Sequence, residues 1–186
     1  MNDALDLYQN EDKVISIHGY IYPVKKILPE TFFVKGADCW GWATWKRGWD
    51  LFEPDGKILL KKLRENNLCT AFDLGGSVKN IKMLKKQIAH KNDSWAIRWH
   101  AAAFVNDKLT LYPGKSLVMN IGADGEGTHV KPTNVYDSKL SYNKVELNKI
   151  NIEENYEATD IIKEYFLSIK PSLKLRIISL FSSRKI

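Results

Sequence analysis

Four of the six tryptophans of this 186-residue chain lie within eleven residues, in the segment CWGWATWKRGW at 39–49. The other two, Trp95 and Trp99, lie together in NDSWAIRWH. A tryptophan side chain buries ~150–250 Å² when it packs, so both clusters must face a core or a ligand. This uneven distribution constrains the possible folds more than any other feature of the sequence.

The composition is that of one globular domain, with 44% hydrophobic and 27% charged residues. No apolar run approaches the ~20 residues that span a bilayer, and the polar start MNDALDLYQNEDK is not a secretory signal. Cys39 and Cys69 belong to no CxxC pair, so we expect small, free thiols and no disulfide framework. These features predict a cytoplasmic protein.

Hydrophobic periodicity and turn residues predict an α/β arrangement with few short strands and several flanking helices. Helices are predicted at 1–10, 56–66, 77–90 and 94–107, and two more follow residue 155, separated by Pro171. Strands are predicted at 14–23, 31–36, 109–113 and 116–122. The polar, asparagine-rich stretch 133–154 divides the chain into a unit at 1–132 and a connector with basic helices at 133–186.

The first tryptophan cluster predicts a helix with an aromatic stripe, because Trp42, Trp45 and Trp49 have the spacing i, i+3, i+7. We assign Trp45 and Trp49 to packing. Trp40 and Trp42 flank Gly41, which lets backbone approach a ligand closely. The two rings offer flat apolar faces on which a sugar could stack, and core packing is the competing interpretation.

The second cluster follows a carboxylate at a helix start, in Asp93-Ser94-Trp95. Either Asp93 or Ser94 can cap the helix through its side chain. A carboxylate on a rigid element beside an aromatic wall can also act as a general base. Arg98 lies on another face from Trp95 and could pair with a carboxylate or a phosphate.

The net charge of +6 is uneven, with lysine-rich helical stretches at 57–91 and a tail without acids after Glu164. No nucleic-acid-binding signature accompanies it, so we expect no nucleic-acid partner, and a solvated helix face is the simplest interpretation. The apolar and basic tail, residues 170–186, could contact anionic lipid peripherally, although packing on the domain would equally account for its apolar side chains.

The glycine-bearing segment NIGADGEGTH at 120–129 matches neither a dinucleotide fingerprint, a P-loop nor an EF-hand. His129 in it is a lone histidine, as are His18 and His100, and such residues usually form structural hydrogen bonds.

Taken in order, four motifs resemble one family: ISIHGYIYP, FFVKGADCWGWATWKRGW, NDSWAIRWHAAAF and LTLYPGKSLVMNIGADGEGTH. They are similar to the later half of bacterial family 2 glycosyltransferases, which have the glycosyltransferase A fold and build surface polysaccharides. The resemblance covers residues 1 to about 130. It implies transfer of a sugar, with inversion, from a nucleotide-diphosphate donor to a hydroxyl of a glycan or lipid-linked acceptor.

The resemblance also implies that a nucleotide-binding half and an acidic motif for a divalent cation, Mn²⁺ or Mg²⁺, precede residue 1, so that this chain alone would be inactive. Asp93 matches the family's catalytic base. Trp40, Gly41 and Trp42 match the wall along which sugar lies, beside Trp95 and Arg98. His129 could close on the diphosphate or its metal, and no other metal ligand is expected in the chain.

The alternative function is a non-catalytic carbohydrate-binding module that uses the same tryptophans. It predicts saturable glycan binding without nucleotide or metal.

Overall fold

The computed structural model describes residues 1–119 and 135–170. The helices are α1 (Asn2–Leu7), α2 (Lys46–Trp49), α3 (Gly56–Glu65), α4 (Cys69–Phe72), α5 (Asn80–Ile88), α6 (Trp95–Val105) and α7 (Tyr156–Ser168). The strands are β1 (Val14–His18), β2 (Thr31–Lys35), β3 (Trp42–Thr44) and β4 (Leu109–Pro113).

The four strands form one open mixed sheet in the order β2-β4-β1-β3. β1 and β4 are parallel, and the two outer strands pair antiparallel to their neighbours. A parallel pair needs a long crossover connection, and here residues 19–108 provide it, carrying β2, β3 and α2 to α6. The α/β class predicted from the sequence is confirmed at this level.

The register places one row of side chains across all four strands. Phe32 pairs with Tyr112, His18 pairs with Trp42, and the His18 and Tyr112 rings lie 4.6 Å apart, centroid to centroid. Side chains alternate between faces along a strand, so the adjacent row, which includes Phe33, lies on the other face. That second face packs against α1. The first row, which we call the aromatic row, supports the tryptophans described below.

A second layer consists of α3, α4, α5 and α6, whose apolar stripes meet in one core. Leu59 and Leu63 of α3, Leu84 of α5 and Ala101 of α6 are fully or almost fully buried there. Burial of apolar surface stabilises the fold by ~25 cal/mol per Å². Helices of about ten residues are stable in a domain because they bury such stripes. The predictions at 56–66, 77–90 and 94–107 are confirmed to within a few residues.

Two of the predicted elements are wrong. Trp42 lies in β3 rather than in a helix, and Trp45 is the N-cap of the four-residue α2, so the three tryptophans share no helical stripe. Residues 116–119 form no strand; Ser116 instead uses its hydroxyl to accept from the Ile21 amide and to donate to the Val118 carbonyl. The predicted segments at 120–122 and 172–181 lie outside the described residues.

The chain after residue 135 packs on the sheet from two directions. Ala158, Ile161 and Ile162 of α7 join Phe32 and Tyr112. The extended stretch 147–152 covers the α1 side of the sheet. The division of the chain at 132/133 stays a prediction. Within the described ranges, no helix has the length and apolarity needed to cross a bilayer.

Candidate functional site

Four tryptophans from three elements form what we call the indole cluster: Trp42 of β3, Trp49 of α2, and Trp95 and Trp99 of α6. The Trp42 ring contacts the other three, at centroid distances of 6.1, 5.9 and 5.7 Å. Trp49 also contacts Trp95 at 6.0 Å and Trp99 at 5.3 Å. The sequence placed these residues in separate clusters, and the fold joins the two.

The indole cluster runs from the core to the surface. Trp99 is fully buried and packs with Ile15 of the sheet, whereas Trp49 and Trp95 are 42% and 41% exposed. Trp42 is half-buried between them. Trp49, assigned to packing from the sequence, is therefore one of the two open rings. No sequence signal distinguished it, because its exposure follows from the end of the short α2.

Trp40, predicted to act beside Trp42, belongs to a different set of aromatic residues. Its ring contacts Tyr20 at 5.0 Å and Tyr136 at 5.3 Å, both edge to face. Gly41 between the two tryptophans has φ +58°, and a β-carbon there would meet Val118 at 2.5 Å. The glycine is therefore required by the turn and by the close approach of Val118, which fills the space predicted for a ligand.

Trp45 packs as predicted, on the α1 side of the sheet. The guanidinium of Arg47 lies 4.1 Å from its ring centroid and donates to the carbonyls of Tyr8, Glu11 and Val14. Trp45 is thus held away from the indole cluster by a cation that ties α2 to the start of the chain.

Asp93 lies in the irregular segment directly before α6, and its side chain is exposed. The cap of α6 is Ser94, whose hydroxyl oxygen accepts from the Ile97 amide at 3.3 Å. Within the described ranges, Asp93 takes part in no hydrogen bond or ion pair. The fold therefore brings Asp93 to the end of α6 that carries the exposed Trp95, and its carboxylate has no bonding partner among the described residues.

Arg98 lies one turn along α6 and reaches back over the chain before α3. It donates to the Pro54 carbonyl at 3.0 Å, and its guanidinium lies 5.6 Å from the Phe52 ring. Phe52 stacks in turn on Trp49, with the two planes 7° apart. The Nε of Arg98 is buried without a hydrogen-bond partner in the part of the chain described. Arg98 thus borders the indole cluster and is held there by Pro54 and Phe52.

A second group, not anticipated from the sequence, surrounds a carboxylate at the end of β2. We call it the Asp38 cluster: His18, Tyr20, Tyr22, Asp38 and Trp40. The Tyr22 hydroxyl and the Cys39 amide donate to Asp38, at 2.8 and 2.7 Å. The buried His18 ring bonds at Nδ1 to the Tyr20 carbonyl and accepts at Nε2 from the Trp40 amide. The only signal in the sequence is an aspartate after the strand-ending Gly36-Ala37.

Burial sets the protonation states in the Asp38 cluster. It raises the pKa of Tyr22 far above its usual value, with the Asp38 charge adding to the effect, and raises the pKa of the Cys39 thiol to about 12. Burial lowers the pKa of His18, and the Asp38 charge only partly opposes this. His18 is therefore neutral at pH 7 with its proton on Nδ1, as its two hydrogen bonds require. The cluster is a rigid, fully bonded scaffold.

His129 lies outside the described residues. Among the residues that the structure does describe, no three histidines, cysteines or acids lie close enough together to hold a metal ion. The donor set for the expected Mn²⁺ or Mg²⁺ is therefore not found in this part of the chain.

Comparison of the chain with models of protein families, with curated proteins and with solved structures returns no match. What the arrangement can do chemically must be judged from its geometry. Two partly exposed indole rings, an exposed carboxylate and an arginine lie at the ends of α2 and α6. Such a set can contact the apolar side of a ring and remove a proton from a hydroxyl on it.

Proposed function

We propose that the chain is the sugar-handling part of an inverting glycosyltransferase of the glycosyltransferase A fold, acting in surface-polysaccharide synthesis on a nucleotide-sugar donor and a glycan or lipid-linked acceptor. The observation that carries the proposal is the exposure of Trp49 and Trp95, with Asp93 two residues before Trp95 and without a partner among the described residues. The resemblance of the four ordered sequence motifs supports the reaction class, and this geometry supports the site.

In this reaction, the carboxylate of Asp93 accepts the proton of the acceptor hydroxyl as its oxygen attacks the anomeric carbon of the donor. The new carbon–oxygen bond forms as the bond to the diphosphate breaks on the opposite face, and the nucleoside diphosphate leaves with the electron pair. Inversion follows from this single displacement. A general base of this kind contributes about 10²–10⁴-fold to rate.

The aromatic rings position the acceptor or donor sugar. The exposed parts of Trp49 and Trp95 would present apolar surface to a pyranose ring, and Trp42 contacts both rings. Arg98 borders this surface through its contact with Phe52. It would meet an anionic group, such as a phosphate, on the bound ligand. Trp40 and Gly41 support the site through the backbone rather than by contact.

The test is a transfer and donor-hydrolysis assay on this chain, alone and joined to a nucleotide-binding half from a family 2 enzyme. We expect turnover only in the joined protein, and its loss by about 10²-fold or more in Asp93→Asn. The matched control is Asp3→Asn, which removes an exposed carboxylate in the first turn of α1.

Three results would contradict parts of the proposal. Robust turnover by these 186 residues alone would show that no further half is needed. Full activity in Asp93→Asn would remove Asp93 from the reaction. Saturable glycan binding that needs Trp95, without transfer in any joined protein, would favour the carbohydrate-binding module instead.

A further inference from the structure

Within the described residues, the excess positive charge of this protein is concentrated in one segment of the fold. Residues 57–91, from α3 to just beyond α5, hold nine of the 28 lysines and arginines but only two of the 22 acids. Their formal charge is therefore +7, and the rest of the chain carries −1. The net charge of +6 belongs to the outer helical layer and not to the sheet or the indole cluster.

Most of these cations have no acidic partner. Lys61 pairs with Glu65 at 3.7 Å, which is the only ion pair of the segment in the described ranges. Lys82, Lys85 and Lys86 of α5 are exposed. Asp73, the other acid, accepts from the Ile81 amide instead of a lysine. The positive electrostatic potential of residues 57–91 is thus not neutralised by nearby acids at the surface.

Apolar side chains are interspersed with these cations. A groove of about 360 Å³ lies between α3 and the end of α5, lined by Lys57, Leu60, Lys61, Arg64, Glu65 and Ile88. Its cations thus lie beside aliphatic side chains. On the same two helices, Ile58 and Met83 are each 42% exposed. Lysines around exposed aliphatic side chains characterise surfaces that settle into the headgroup region of an anionic bilayer.

The residue types argue against a surface that stacks or reads nucleic-acid bases. Eight of the nine cations are lysine, and neither α3 nor α5 contains an aromatic residue. Single-stranded nucleic acid is bound by stacking on aromatic rings, and base readout favours the planar guanidinium. A membrane surface requires neither, since it attracts lysine as a point charge.

We propose that the face formed by α3 and α5 docks on an anionic membrane surface, with the groove accommodating a phospholipid headgroup. This face is separate from the basic tail at 170–186, for which peripheral lipid contact was expected from the sequence. It is also independent of the proposed sugar chemistry, because it shares no residue with the indole cluster or Asp93.

The experiment is flotation of the full chain with vesicles of phosphatidylcholine alone or with 30 mol% phosphatidylglycerol, a trial composition of roughly the charge density of an anionic leaflet. We expect binding only to the anionic vesicles and a steep loss as salt is raised. Replacing Lys82, Lys85 and Lys86 by Glu should weaken binding by about tenfold or more.

The matched control reverses Lys25, Lys139 and Lys144, exposed lysines elsewhere in the chain, and changes the net charge equally. We expect this control to weaken binding by less than about threefold, because these charges lie outside the docking face. A Lys→Gln version of the α5 variant, checked by circular dichroism, separates lost binding from lost folding.

The outcomes that overturn the proposal are distinct. Equal losses in the α5 variant and its control would show that only net charge matters. Loss of binding in a variant with the four cations of 171–186 neutralised, but not in the α5 variant, would assign binding to the tail. No vesicle binding by the unmodified chain, with tight binding to a single-stranded oligonucleotide at the same salt, would identify a nucleic-acid surface instead.

Discussion

The indole cluster and the Asp38 cluster lie on adjoining parts of the sheet, yet they differ in how their side chains are satisfied. In the Asp38 cluster, side-chain hydrogen bonds join His18, Tyr22 and the Trp40 backbone to their neighbours. In the indole cluster, contacts are ring on ring, and the Nε1 of Trp99 is buried without a partner in the described ranges. The first cluster is specified by directional bonds, and the second by packing with two faces left open. The difference supports our proposal that the indole cluster, rather than the Asp38 cluster, is the binding surface.

The largest effect should come from the buried end of the indole cluster. Trp99→Ala removes a fully buried ring that touches Trp42 and Trp49. We expect the free energy of unfolding in urea to fall by about 3–5 kcal/mol, the usual cost of removing a large buried aromatic. A loss below about 1 kcal/mol would show that the indole cluster does not pack as a unit. It would then contradict the contrast drawn between this cluster and the Asp38 cluster.

A smaller effect should follow from unpairing Asp38. Tyr22→Phe keeps the ring but removes the hydroxyl that donates to the carboxylate at 2.8 Å. We expect a loss of about 1–3 kcal/mol in urea unfolding, because a partly buried acceptor loses its donor. Tyr142→Phe is the matched control, since that ring is 91% exposed, and it should change stability very little. Equal changes in unfolding free energy for the two variants would contradict a structural role for the Asp38 cluster.

The buried histidines predict a pH dependence of stability. Burial lowers the pKa of both His18 and His100 below the usual 6.5. The unfolded chain therefore binds protons that the native state does not, so stability falls as pH drops below 6.5 and continues to fall until the native pKa values are reached. We expect the free energy of unfolding in urea to be lower at pH 5 than at pH 7.

The variant His18→Gln tests the source of this pH dependence. It removes one titrating ring, so its unfolding free energy should change less between pH 7 and 5 than that of the unmodified chain. An unchanged slope would mean that His100 or carboxylates, and not His18, cause the loss of stability at low pH.

The smallest stability effect should come from the open end of the indole cluster. Trp95 is 41% exposed and makes ring contacts with Trp42 and Trp49. We expect Trp95→Ala to cost only about 1 kcal/mol, in the range of one or two aromatic pair contacts. Sugar binding or transfer should fall far more than stability. A cost near that of Trp99→Ala would make Trp95 a core residue and remove the proposed surface.

Periodicity predicted the helical layer well, because Leu59, Leu63 and Leu84 repeat at helical spacing and bury one stripe. It failed at β3, where Trp42 pairs with His18. A three-residue strand is defined by a partner 24 positions away and has no period of its own. The helical spacing of Trp42, Trp45 and Trp49 was therefore coincidental.

The site was predicted unevenly for the same reason. Asp93 and Trp95 could be recognised together because they are neighbours in the chain. The join between Trp42 and Trp95 and the role of Asp38 depend on long-range contacts that no local pattern records. The sequence also could not show that Trp40 and Trp42 contact different neighbours. That difference depends on the backbone conformation of Gly41 between them, which has a positive φ.

The aromatic row that crosses the sheet has a consequence for the order of events during synthesis. Its four members come from positions 18, 32, 42 and 112, so the row closes only when β4 inserts between β1 and β2. Until the ribosome has released Leu109–Pro113, the nascent chain holds β1 and β2 without the strand that lies between them. Closure of the aromatic row is therefore a late event, and such non-local closure is slow.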